Sequence, residues 1–210
     1  MTKTIGQLST TTTSTTVTPV ETTVVSSTAF ISVVKPATTT FKYTINLDES
    51  NAFTVDWGDD SSIESFDWTS EITHVYPLAN VEYTITIDGF ISGITPFLKT
   101  DLIRVLRCAS TFKTIANMCK DCTELTEFST VGLNTPITGY LNTEYAWYGC
   151  TKLTSFNASG LTVVSGTLNY GWENCIALTS FDTTGMENIT GIYACWSGCT
   201  GLTSFDASGL

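Results

Sequence analysis

Seven cysteines, one histidine and a tight group of aspartates are the residues of this chain with obvious chemical capacity. Cys119-Lys120-Asp121-Cys122 is a CxxC, and Cys195-Trp196-Ser197-Gly198-Cys199 a CxxxC, spacings that suit a zinc site or a redox pair. Asp56, Asp59 and Asp60 flank Gly58 and offer the hard oxygen ligands that calcium takes. His74 is the single imidazole, which leaves little material for histidine metal sites or a histidine general base. Serine and aspartate are abundant, but no Gly-x-Ser-x-Gly elbow and no glycine-rich phosphate loop accompanies them.

Position gives most of these residues a plainer role. Cys122, Cys150, Cys175 and Cys199 recur at spacings of 28, 25 and 24. One structural position is implied, where a buried cysteine behaves as a small hydrophobe. Cys108, Cys119 and Cys195 lie off that ladder, and a Cys119–Cys122 or Cys195–Cys199 disulfide stays open. Seven is odd, so at least one thiol is free or pairs between chains. The aspartates stand in the turn Gly58-Asp59-Asp60-Ser61-Ser62, where such side chains hydrogen-bond their own backbone. His74, two residues before Tyr76, reads as a structural partner. Asn157-Ala-Ser and Asn188-Ile-Thr match the glycosylation pattern, but Asn157 occupies the position of Asp182 and Asp206, so a repeat-dictated polar residue explains it.

The elements that must position these residues fall in three zones. Residues 1–40 hold 15 threonines with scattered Val and Ile, a composition that builds no core alone but suits β-pairing with a neighbour. An extended N-terminal anchoring arm is expected there. Residues 41–95 contain alternating segments at Phe41–Leu47, Phe53–Trp57 and Glu82–Ile87, the pattern of a small antiparallel β-sandwich.

Residues 96–210 repeat. Counting from the ladder cysteine, three residues back stand Cys119, Trp147, Trp172 and Trp196. Three residues on come Leu125, Leu153, Leu178 and Leu202; six on come Phe128, Phe156, Phe181 and Phe205. Units this short cannot bury their own apolar faces and must stack into a solenoid. Leu210 closes a fourth strand motif without a polar cap, so further repeats or another chain are expected beyond it. Strand alternation turns Phe156 and Ala158 inward and Ser155 and Asn157 outward. The equivalents are Glu127 and Ser129, Ser180 and Asp182, Ser204 and Asp206, a hydroxyl and carboxylate ladder expected to meet a partner.

Asp56-Trp57-Gly58-Asp59-Asp60, followed by His74-Val75-Tyr76 and Tyr83-Thr84-Ile85-Thr86-Ile87, resembles a PKD-type domain, with Asp60 where that family has glycine. The resemblance implies an Ig-like sandwich held by Asp56, Trp57, Gly58, Asp59, His74 and Tyr76. Trp196-Ser-Gly-Cys-Thr-Gly-Leu-Thr-Ser-Phe-Asp206 resembles BspA-like leucine-rich repeats. Together they imply a mostly β display protein, an Ig-like sandwich followed by a leucine-rich-repeat solenoid, of the kind found in phage virions and bacterial adhesins. Neither family implies catalysis, a cofactor or a metal.

Net charge of -11, with 20 acidic and 9 basic residues, argues against nucleic acid and anionic membranes. No apolar run approaches the roughly 18 to 20 residues of a membrane-spanning helix. The first residues lack the apolar region of a secretory signal, so reduced thiols and cytoplasmic assembly are expected. The expected role is a non-enzymatic phage virion surface component: head fibre, decoration or tail-fibre protein. It would be a homo-oligomer, docked on other virion proteins by its arm and meeting host surface protein or glycan through its repeats. The second reading is a bacterial cell-surface adhesin with the same modules, and the third a binding module attached to an enzyme.

Overall fold

A computed structural model describes residues 26–46, 52–67, 69–96, 99–133, 143–163, 166–184 and 186–210. The chain is mostly β, as its alternation predicts, and its sheets are open. The N-terminal body contains β1 (Phe30–Val34), β2 (Thr40–Asn46), β3 (Ala52–Asp56), β4 (Glu64–Asp67), β5 (Glu71–Val75), β6 (Tyr83–Gly89), β7 (Gly93–Pro96) and β8 (Leu102–Arg107). The repeats add β9 (Glu127–Ser129), β10 (Ser155–Asn157), a 3-10 turn at Ser159–Val163, β11 (Gly166–Thr167), β12 (Ser180–Asp182), β13 (Ile189–Gly191) and β14 (Ser204–Asp206).

One side chain in two points inward along β2, β3 and β6, burying Phe41, Tyr43 and Ile45, then Phe53 and Val55, then Tyr83, Ile85 and Ile87. These residues face each other across two sheets, a three-stranded one ordered β5-β2-β7 and a seven-stranded one ordered β10-β9-β8-β1-β6-β3-β4. Phe30 of β1 meets Tyr43 of β2 edge to face at 6.2 Å, and the Ser32 and Tyr43 hydroxyls are 2.8 Å apart in the buried seam.

Two expectations about organisation change here. The arm expected over residues 1–40 is described only from residue 26, and from there it belongs to the body. β1 lies in the interior of the large sheet, paired antiparallel with both β6 and β8. Residues 1–25 lie outside the described residues. The boundary expected between residues 95 and 96 also dissolves at β8, which pairs antiparallel with β1 on one side and parallel with β9 on the other. Val105 of β8 is in register with Phe128, and Phe128 with Phe156, so one sheet runs from the body into the repeats. A single buried core follows it from Phe30 to Cys195.

Each repeat couples a short strand to a turn segment that carries the ladder cysteine. Backbone N–H groups five, three and one residues before that cysteine donate to carbonyls of the next unit: Asn117 to Glu144 at 3.0 Å, Cys119 to Ala146 at 2.8 Å, Asp121 to Tyr148 at 2.7 Å. The set recurs from Tyr145, Trp147 and Gly149, and again from Tyr170, Trp172 and Asn174. The first and last donor of each set have left-handed backbone, including Tyr145 at φ 55° and Tyr170 at φ 58°. In the last position Asp121, Gly149, Asn174 and Gly198 alternate large and small. A Cβ on Gly149 would stand 2.6 Å from Asp121 Oδ1, and one on Gly198 2.3 Å from Asn174 Oδ1. Glycine there meets both demands, positive φ and close approach.

Inside, aromatic rings form two columns. Phe128, Phe156, Phe181 and Phe205 lie near parallel at 5.7 to 6.1 Å, and Trp147, Trp172 and Trp196 at 4.6 and 5.7 Å. The columns meet edge to face, as at Trp147–Phe156, 4.7 Å apart at 78°. β9 and β10 form one parallel pair and β12 and β14 another, and the phenylalanine column bridges the gap between them. Leu125, Leu153 and Leu178 are buried with the columns, whereas the fourth unit is partly uncovered: Trp196, Cys199 and Leu202 are half-buried and Phe205 is 41% exposed. That unit has no following neighbour among the described residues.

Candidate functional site

The first candidate is the network around Trp57 and His74. Gly58 begins the turn after β3 at φ 73°, and a Cβ on it would meet the Thr84 carbonyl at 2.2 Å, so only glycine fits. Asp60 adopts φ 64° in the same turn, the left-handed conformation an aspartate tolerates. Asp56 Oδ1 accepts from the Gly58 N–H at 2.9 Å and Asp59 Oδ1 from the Ser61 N–H at 3.2 Å. These carboxylates therefore close their own turn. Among the described residues no group of three or more His, Cys, Asp or Glu side chains is placed to hold a metal ion.

His74 lies flat on Trp57 with ring centres 4.7 Å apart, and its Nε2 is 2.8 Å from Asp59 Oδ2. Its Nδ1 faces Glu64 Oε1 at 3.5 Å, and Trp57 Nε1 donates to the same oxygen at 3.1 Å. Tyr76 donates its hydroxyl proton to the Trp57 carbonyl at 3.1 Å, and its ring stacks on Tyr83 at 3.9 Å. Burial works against the charge on Asp59, but hydrogen bonds from Ser61 and His74 outweigh it and hold the carboxyl below the usual aspartate range. Burial pushes the Tyr76 hydroxyl up. An imidazole between two carboxylates has the look of a catalytic relay, but its polar atoms tie the β3–β4 turn to β5. It serves as a clamp.

The thiols form a second network. All seven are free, so neither disulfide left open by the sequence is present. Cys150 donates its S–H to the Cys119 carbonyl at 3.0 Å, Cys175 to that of Trp147 at 3.2 Å, and Cys199 to that of Trp172 at 3.0 Å. Every one of these bonds crosses to the preceding unit. Cys195 donates back to Leu168 at 3.1 Å in the same manner, whereas Cys108 donates forward to Ser129 at 3.4 Å. Burial pushes the thiols of Cys108, Cys119, Cys150, Cys175, Cys195 and Cys199 up, Cys195 to about 12. They are protonated donors, unsuited to nucleophilic or redox work.

The expected recognition ladder is the third candidate. Ser155, Asn157, Ser180, Asp182, Ser204 and Asp206 are exposed, Glu127 is half-buried, and Ser129 is buried. Ser129 departs from expectation because its strand is flanked by β8 and β10, and its hydroxyl accepts from the Val131 N–H at 3.3 Å. The same bond recurs down that row. Asn157 accepts from the Ser159 N–H at 3.0 Å, Asp182 from that of Thr184 at 2.8 Å, and Asp206 from that of Ser208 at 2.9 Å. Thr184 thereby holds the Asp182 carboxyl below its usual range. This row ends each strand, while Ser155, Ser180 and Ser204 carry no side-chain hydrogen bond among the described residues and remain open to a partner.

A further surface, which strand alternation does not reveal, lies on the turn side. Tyr145, Tyr148, Tyr170 and Tyr193 come together there; Tyr145 and Tyr170 share one repeat position, and Tyr148 and Tyr193 stand at others. Their sequence signal is only that tyrosine precedes each of the later three cysteines by two to six residues.

Compared with known proteins, the chain matches no family model, no curated protein and no solved structure.

Proposed function

We propose that this chain is a non-enzymatic surface component of a phage virion, a head fibre, decoration or tail-fibre protein that holds a repeat domain outward for attachment to a host surface. On this reading the N-terminal body is a PKD-like, Ig-like sandwich, and the repeats are a BspA-like leucine-rich-repeat solenoid. Residues 1–25 dock on other virion proteins, and the assembled protein is a homo-oligomer.

The observation that carries the reading is where the polar chemistry is spent. His74, Asp56, Asp59 and the thiols are engaged in holding turns and units together, while the open hydroxyls of Ser180 and Ser204 lie in register on one two-stranded sheet and that of Ser155 lies on the edge strand of the large sheet. That division suits a display scaffold. No helix among the described residues is long and apolar enough to cross a membrane.

The test is electron microscopy of intact particles labelled with an antibody to the repeats, alongside particles carrying a chain that lacks residues 1–25. Regular labelling on a capsid or tail, lost with the deletion, is the expected result. Labelling confined to bacterial envelopes would replace the reading with a cell-surface adhesin.

A further inference from the structure

The four tyrosines on the turn side of the repeats share one property: among the described residues no hydrogen bond uses their hydroxyls. In the body the opposite holds. Tyr43 is paired with Ser32, Tyr76 donates to the Trp57 carbonyl and Tyr83 to that of Leu78. The repeat tyrosines thus keep both donor and acceptor capacity for something outside the chain.

Their arrangement is fixed in advance. Tyr145 and Tyr170 stack at 4.7 Å with planes 3° apart, Tyr148 meets Tyr145 at 5.8 Å, and Tyr193 meets Tyr170 edge to face at 5.3 Å. Lys120 caps the row, its Nζ 4.8 Å from the Tyr145 ring centre and 5.3 Å from that of Tyr148. Tyr145 and Tyr170 hold left-handed backbone, which is costly for a bulky residue, at a position where the first repeat uses Asn117. Both residues are only half-buried, so core packing alone does not account for a ring at that position. The left-handed backbone itself belongs to the repeat, since Asn117 and Ala194 share it at the same position, so what marks these two units is the choice of half-buried tyrosine rings there.

We propose that this row is a binding face for uncharged polysaccharide. It deepens, and rests on, the reading of the repeats as the host-facing part. The stacked rings spend their faces on each other, so what they offer outward is ring edges and phenolic hydroxyls, and Tyr193, 69% exposed, adds a large aromatic surface at the end. A polyhydroxylated chain with alternating C–H and O–H surface matches that mixture. Glu144 and Glu173 stand in the same turn segments and the whole chain carries -11, which selects against an anionic polymer.

The test measures binding of the full chain to a soluble glucan, mannan and galactan, with polygalacturonate as the charged control, by affinity electrophoresis and calorimetry. The variant combines Tyr145→Phe, Tyr148→Phe, Tyr170→Phe and Tyr193→Phe, which keeps the ring stack. At least one neutral polymer binds the parent chain, polygalacturonate does not, and the variant binds about tenfold or more weakly with its thermal transition unchanged. No neutral polymer bound, equal binding of polygalacturonate, or a variant equal to the parent would each overturn the proposal. Attachment to host cells is measured beside it. If parent and variant attach equally, the attachment reading stands and this face is wrong. If the parent binds a neutral polymer but attaches to no host cell, the attachment reading falls and the face stands.

Discussion

Cysteine is used in the repeats for a property seldom asked of it. A serine hydroxyl in the same column would be a stronger donor but costs more to bury, whereas a thiol fills the space and still satisfies a carbonyl of the preceding unit. The consequence is measurable as reactivity. In native protein, alkylation by iodoacetamide should stall at the buried thiols and reach half-buried Cys199 first, with all seven reacting only after denaturation. Rapid labelling of Cys150 or Cys175 without unfolding would contradict the buried ladder. Asp59 makes a second prediction. Its carboxyl is held below the usual aspartate range, so the folded state favours the charged form. The stability it adds is fully present above the unfolded aspartate pKa, about 3.9, and is lost as pH falls through the lower folded value. Asp59→Asn should therefore lower the urea midpoint at pH 6, and the difference from the parent should shrink as pH falls through the lower folded value. A constant difference between the two at all pH values would assign the effect to packing instead.

Elements were legible in the sequence to the extent that their pattern was strong. Alternation at Phe41–Leu47 and Phe53–Trp57 located β2 and β3, and the Cys, Leu and Phe columns located the repeat strands. β1 was hidden because its inward face carries a polar residue, Ser32, between Phe30 and Val34, while Val33 on the opposite face is buried as well, which blurs the alternation. β8 was missed because its apolar residues Leu102 and Val105 do not alternate, in a strand that pairs with β1 of the body on one side and β9 of the repeats on the other. The Asx turns that end each repeat strand were visible only as polar residues, and their backbone partners emerged with the fold. Position within the stack decides what a core residue is worth. Phe181 contacts Phe156, Trp172, Trp196 and Phe205, so Phe181→Ala should cost about 3 to 5 kcal/mol. Phe205→Ala, at a ring 41% exposed, should cost clearly less by chemical denaturation. Equal losses would mean that the fourth unit is covered in solution.

For the molecule as a whole, the shared strand predicts cooperativity. With β8 hydrogen-bonded to both β1 and β9 and one buried core spanning the junction, body and repeats should unfold together. Tryptophan fluorescence, dominated by the repeat column, and amide exchange at β3 and β6 should report one urea midpoint; two separated transitions would restore the boundary expected near residue 95. The same strand has a mechanical meaning. A tether joined by a flexible linker swivels under load, but here traction on the repeats is delivered sideways into the middle of a seven-stranded sheet. Strand separation there has to break a ladder of bonds together, so the two halves would bear tension as one stiff beam, with the outward face aimed by the sheet itself.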